Sequence, residues 1–90
     1  MKDDLYIKSR LNSLQTQLIP QAIEYTQPHQ ERISAVMWVY NNGNVQSQKA
    51  VEVKLRCAKE ELISLQFMTN PGLQLNCINA RIEELENILN

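Results

Sequence analysis

Histidine and cysteine, the residue types that most often bind zinc or serve as base and nucleophile, are scarce in this chain. It contains one histidine, His29, and two cysteines, Cys57 and Cys77. They lack the closely spaced pairs that mark zinc sites. A cysteine nucleophile also needs a neighbouring base and a lowered pKa, and we identify no such base near either cysteine. We therefore expect no catalytic residue, no metal site, no cofactor and no small-molecule substrate, and a protein that is not an enzyme.

The same three residues have ordinary structural interpretations. His29 follows a proline in a polar stretch, so we expect it to be exposed to solvent. Cys57 and Cys77 fall inside helical patterns, where free cysteines pack as small apolar residues. Two cysteines are too few for the disulfide framework of a small secreted domain, which favours reduced thiols and a cytoplasmic location. The acidic start of the chain, with Asp3 and Asp4, is also unlike a secretion signal.

Charged side chains are balanced in number and locally mixed. The formal net charge is −1 and the pI is near 5.8, which argues against sequence-independent binding of nucleic acid. An acidic group near the end of the chain is expected to be solvated rather than to form a patch for a cation or a basic partner. A basic group has acidic neighbours, which predicts local ion pairing. The acidic group is Glu83, Glu84 and Glu86, and the basic group is Lys49, Lys54, Arg56 and Lys59.

Two apolar ladders, one on each side of Pro71, carry the clearest structural signal. Each repeats apolar residues at steps of three and four, which keeps them on one stripe of a helix. The first ladder runs from Val51 to Leu65 and the second from Leu75 to Leu89. The short break between them predicts an antiparallel helical hairpin, with Asn70 capping its second helix and Pro71 at the first position of that helix.

The first 41 residues show further helical stripes broken by prolines. Apolar residues at helical spacing run from Ile7 to Leu18, and Pro20 predicts a kink after them. Pro28 marks a restart, because proline is tolerated in the first turn of a helix. The fold class is therefore all-α, a small antiparallel bundle of three to four helices in a single domain, residues 1–90. The predicted helices cover residues 3–26 with the kink at Pro20, and residues 29–41, 45–69 and 71–89.

Residues 33–55 allow a second interpretation. The residues from Val36 to Tyr40 favour strands, and Asn42-Gly43 is a strong hairpin-turn signal. An α+β fold with a β-hairpin around residues 33–55 is therefore the alternative. The polar stretch 45–49 would make a poor strand opposite such an apolar partner, which favours helices. In the helical interpretation Asn41–Asn44 ends one helix and caps the next, with Gly43 supplying a positive φ.

Four apolar helical faces on so short a chain predict a protein–protein interaction module. We expect an adaptor, a chaperone-like subunit or an inhibitor that occludes a partner surface, and its size and composition suit a phage or mobile-element accessory protein. Trp38 is the best candidate anchor, because large aromatic side chains dominate binding hot spots. The predicted partner-binding residues are Trp38, Met37, Tyr40, Val53 and Phe67.

The partner is expected to be another protein or a second copy of this chain, as in a homodimer. Two alternatives remain open at this stage. One is a dimeric helical regulator associated with nucleic acid, with a basic face around Lys49, Arg56 and Lys59, although the acids between them count against it. The other is a purely structural homo-oligomer. No apolar run is long enough to cross a membrane, and we expect no membrane partner.

Overall fold

Four helices and one very short hairpin make up the protein. A computed structural model describes residues 1–90. The elements, in chain order, are α1 (Asp4–Thr16), α2 (Ile23–Val39), β1 (Tyr40–Asn41), β2 (Asn44–Val45), α3 (Gln48–Leu65) and α4 (Gly72–Leu89). The all-α fold class expected from the apolar ladders is confirmed.

Helix α4 lies at the centre of the bundle. It packs against α2 and α3, while α1 packs against α2. Because α4 has neighbours on more than one side, it buries more of its surface than any other helix, and burial of apolar area is the main stabilising contribution in a small domain. Its buried residues are Ile78, Ala80, Ile82, Glu84, Leu85 and Ile88.

The buried side chains form two clusters. The larger joins all four helices near the hairpin, and the smaller lies between α3 and α4 near their connection. Leu55 lies between the clusters and contacts both. The two ladders predicted from the sequence supply most of the second cluster and its border, so the antiparallel α3–α4 hairpin is confirmed. The larger cluster is Ile7, Leu14, Val36, Val39, Val51, Leu85 and Ile88, and the smaller is Ala58, Ile78 and Ile82.

The break between the first two helices differs from the predicted kink. Helix α1 ends at Thr16 and α2 begins at Ile23, so no continuous helix covers residues 3–26. The chain is already extended at Gln17, and Pro20 disfavours helical geometry at the residue before it. Pro28, expected to restart a helix, instead lies inside α2. The donor it lacks would have bonded the carbonyl of Glu24, an exposed residue where water can replace the bond.

Both interpretations of residues 33–55 are partly right. Helices occupy most of the stretch, but Asn42-Gly43 forms a two-residue hairpin turn in which Tyr40 pairs with Val45. Asn42 has φ 50° and Gly43 has φ 89°, the two positive angles that a type I′ turn requires. The cap of the next helix is Ser47, whose hydroxyl accepts from the backbone N–H of Ala50 at 3.1 Å, rather than Asn44.

Asn70 also departs from its predicted role as a cap. It takes the left-handed conformation, with φ 55°, and no side-chain hydrogen bond caps α4. Pro71 occupies the position before the helix, and its carbonyl accepts from the backbone N–H of Leu75 at 3.1 Å. Asn tolerates positive φ better than most residues, so Asn70 turns the chain between α3 and α4 by its backbone rather than by its side chain.

Candidate interaction surfaces

Trp38, the predicted anchor, is half-buried near the end of α2. Its ring packs against the larger core cluster, and the ammonium of Lys54 lies 4.9 Å from the ring centroid. This cation–π contact joins α2 to α3. Trp38 therefore already has partners within the chain, and its role in binding another protein stays a prediction.

The other predicted anchors lie on different parts of the molecule. Met37, beside Trp38, is 48% exposed, whereas Tyr40 is half-buried in the hairpin and contacts the core. Val53 and Phe67 are exposed on α3 and just beyond its end. Thirteen residues of largely helical chain lie between these two, a span of about 20 Å at the rise of an α-helix. The fold thus places the five residues in two groups, one around Trp38 and one along α3.

The second group belongs to a longer stripe, which we call the outer face of α3. Its members recur at steps of four and three and are all exposed, on the side of α3 turned away from α4. The apolar members are Val53, 40% exposed, Ile63, 57% exposed, and Phe67, 86% exposed. The outer face consists of Lys49, Val53, Arg56, Glu60, Ile63 and Phe67.

Ion pairs on both flanks join α3 to α4 and add to the packing of the two apolar ladders, which supplies most of the attraction because exposed ion pairs contribute little. On one flank the ammonium of Lys59 lies 3.9 Å from a carboxylate oxygen of Glu86. On the other, a guanidinium nitrogen of Arg81 lies 3.0 Å from a carboxylate oxygen of Glu61. Arg81 also donates from Nε to Glu31 of α2 at 2.6 Å, so one side chain of α4 joins its two neighbours.

Glu84 corrects the expectation that the acids near the end of the chain are all solvated. Its side chain is only 2% exposed, and its two oxygens accept from Nε and a terminal nitrogen of Arg10, each at 2.8 Å. Arg32 donates to the same carboxylate at 2.8 Å and to the exposed Glu83 at 2.6 Å. Arg10 and Arg32 come from α1 and α2, so the buried carboxylate ties three helices together.

The charges around Glu84 stabilise its ionised form. Burial by itself raises the pKa of Glu84, but the hydrogen bonds and positive charges of Arg10 and Arg32 outweigh it and leave the pKa below its ordinary value. The same bonds raise the pKa of Arg10 further above its ordinary range, against the opposing effect of burial. All the donors and acceptors in this cluster face one another, so we interpret it as structural.

One signal in the sequence points to the burial of Glu84, namely its spacing. It lies four residues after Ala80 and four before Ile88, both of which are buried. A carboxylate at such a position needs cationic partners, because an unpaired buried charge is very costly. Arg10 and Arg32 are far from it in sequence, so their approach follows only from the packing of α1 and α2 on α4.

The expected exposure of His29 is also wrong. The residue lies in α2, is half-buried, and its Nε2 lies 2.8 Å from the carbonyl oxygen of Leu14. That carbonyl belongs to the last turn of α1, where backbone acceptors have no partner within the helix. Because a carbonyl can only accept, Nε2 carries the proton, and His29 satisfies the end of α1.

The two cysteines differ from each other. Both thiols are free, but Cys57 is exposed on α3 rather than packed as a small apolar residue, while Cys77 is half-buried in α4. Burial is the main cause that raises the pKa of the Cys77 thiol; Glu31 adds to it and Arg81 opposes it. No group of three or more His, Cys, Asp or Glu side chains is arranged to hold a metal ion.

The surface also has shallow concavities. The largest, about 620 Å³, lies between α1 and α2, where Arg10 and Arg32 border apolar residues of the connection such as Leu18. The guanidinium groups there already pair with Glu84 and Glu83, so neither is left without a counter-charge for an anionic ligand. None of the four helices combines the length and apolar character needed to span a bilayer.

Comparison of the chain with protein-family models, with curated proteins and with solved structures finds no match in any of the three.

Proposed function

We propose that the protein is a small, non-enzymatic protein–protein interaction module of the cytoplasm that binds through the outer face of α3. A single observation supports this most strongly: Val53 and Ile63 on α3, and Phe67 in the turn that follows it, are 40–86% exposed at helical spacing. Exposed apolar side chains aligned on one helix face are typical of surfaces that bind a partner.

The mode of binding that suits this surface is packing of a helix on a helix or in a groove. Anchors at helical spacing occupy successive pockets of the partner in such complexes. Binding would cover the partner's surface. The protein would thereby act as an adaptor, or as an inhibitor that occludes that surface. Val53 and Phe67 are contact residues in this proposal. Trp38 instead helps to hold α3 in place through its cation–π contact with Lys54.

A nucleic-acid regulator would have to use the same helix, since Lys49 and Arg56 are exposed on the outer face. Glu60 lies on that face between the apolar residues, and Glu52 is exposed beside it. Phosphate binding depends on an excess of positive charge, which this surface lacks. A protein partner is therefore the better-supported proposal.

The test is affinity capture from the source cell with three tagged forms of the chain. Ile63→Glu places a charge on the outer face, and Leu5→Glu makes the same kind of change at a residue of α1 that is 76% exposed. We expect the wild type and Leu5→Glu to retain the same partner and Ile63→Glu to lose it. Equal retention by all three forms, each with unchanged helicity by circular dichroism, would contradict the proposal.

A further inference from the structure

The outer face of α3 has an order of residues that suits pairing with itself. Its positions are separated by steps of four, three, four, three and four, and this series is the same from either end. Two copies of the stripe laid antiparallel about a two-fold axis therefore place every position opposite another, with Phe67 contributed by the turn that continues α3 beyond Leu65. The opposed pairs are Arg56 with Glu60, Val53 with Ile63, and Lys49 with Phe67.

At the centre of this arrangement the charges are complementary. Arg56 and Glu60 are both exposed, and neither forms an ion pair within its own chain. Their order on the helix, with the cation four residues before the anion, is the weaker one for pairing within a helix. In the antiparallel pair Arg56 of each copy meets Glu60 of the other, which makes two ion pairs related by the axis.

On both sides of the centre the contacts are apolar. Val53 of one copy meets Ile63 of the other, and these side chains are 40% and 57% exposed in the single chain. At the ends, Lys49 lies opposite Phe67, where its alkyl chain and ammonium can cover an aromatic ring that is 86% exposed. Burial of these side chains supplies the attraction, and the charged pairs select the orientation.

We propose that the outer face of α3 binds a second copy of this chain, forming an antiparallel, two-fold symmetric dimer. This identifies the partner for the surface named under the proposed function and rests on that function. A parallel arrangement would place Arg56 against Arg56 and Glu60 against Glu60, so the charges favour the antiparallel one. Lys59 of each copy also approaches the axis, and its own Glu86 offsets the charge there.

The interface is one helix wide. Helix α3 has 18 residues and is about 27 Å long, so the dimer falls at the small end of specific interfaces, below about 1,200 Å² in total. We therefore expect a dimer that dissociates in the micromolar range. The mass measured by sedimentation equilibrium should change from monomer to dimer as the concentration rises from micromolar to millimolar.

Charge reversal tests the orientation directly. Arg56→Glu and Glu60→Arg each turn both ion pairs into like charges. We expect the dimer dissociation constant of each variant to be at least about tenfold higher than that of the wild type. An equimolar mixture of the two variants restores opposite charges at both pairs, as does the double variant. Lys8→Glu, the same kind of charge change at an exposed residue of α1, is the matched control and should dimerise like the wild type.

Each possible result supports or contradicts one step of the inference. Full dimerisation of Arg56→Glu would show that another face pairs, and failure of the mixture to recover would exclude the antiparallel register. If the wild type stays monomeric at every concentration while Ile63→Glu still abolishes capture of a cellular partner, the second copy is wrong and the proposed function stands. If Ile63→Glu changes neither mass nor capture, both are wrong.

Discussion

At the scale of single residues, Glu84 matters most for the stability of the bundle. Removing one partner of a buried ion pair costs about 3–5 kcal/mol, because the remaining charge loses its compensation. The side chains of Arg10 and Arg32 are 33% and 29% exposed and can recover some hydration. We therefore expect Glu84→Ala to lower the free energy of unfolding by about 2–4 kcal/mol, measured by urea denaturation. Glu83→Ala, at a carboxylate whose side chain is 62% exposed, should cost less than about 1 kcal/mol.

Glu84 also gives the stability a pH dependence whose sign follows from its lowered pKa. In the unfolded chain a glutamate titrates near pH 4.3, and in the folded protein Glu84 titrates below that value. Its contribution is therefore fully present above the unfolded pKa and is lost as the pH falls through the folded pKa. The difference in free energy of unfolding between wild type and Glu84→Gln should shrink from about pH 5 to about pH 3. A constant difference would contradict this assignment.

The cysteines provide a second test at the scale of residues. Cys57 is exposed, whereas Cys77 is half-buried and its pKa is raised, mainly by burial. The thiolate is the form that reacts with alkylating reagents. In native protein near pH 8 we expect maleimide to modify Cys57 well before Cys77, with the sites identified by mass spectrometry. Both should react at similar rates in urea, and faster modification of Cys77 in the native state would contradict the placement.

At the scale of elements, the hairpin turn and the start of α4 contain the two glycines of the chain. The glycine in the turn has a positive φ, whereas the one at the start of α4 does not. Gly43 has φ 89°, and a Cβ there would meet no atom within 4 Å, so the cost of Gly43→Ala is purely conformational. We expect it to lower the free energy of unfolding by about 1–2 kcal/mol. Gly72, the first residue of α4, has equal space but no positive φ, so Gly72→Ala should stabilise by about 0.4–1 kcal/mol by restricting the unfolded chain. Chemical denaturation of both variants measures the contrast.

Elements were predictable wherever their signal is local. The α3 and α4 ladders, the turn at Asn42-Gly43 and the all-α class all follow from spacing and turn chemistry within one short segment. The break after Thr16 was misplaced because Leu18 continues the stripe of α1 in sequence, yet it is 97% exposed in the structure. Periodicity describes a helix that could form; it does not show where packing stops supporting that helix.

At the scale of the whole molecule, the sequence could not reveal which helix is central. The roles of Glu84 and His29 depend on contacts between elements that are distant along the chain. The same holds for the outer face of α3: the structure adds that Val53 and Phe67 are exposed, and their role in binding stays a prediction. Pairing between helices is a property of the assembled bundle.

The central position of α4 predicts an uneven distribution of local stability. Amides of α4 from Ala80 to Ile88 lie among buried side chains, so they should exchange with solvent only through the largest openings of the structure. Amides of α1 should exchange faster, because α1 packs mainly on one neighbour. Hydrogen–deuterium exchange resolved to peptides measures this order, and a parallel measurement on Arg56→Glu, in which the proposed dimer is expected to be weaker, controls for protection by dimerisation. Exchange of α1 as slow as that of α4 would instead mean that the bundle opens only as one cooperative unit.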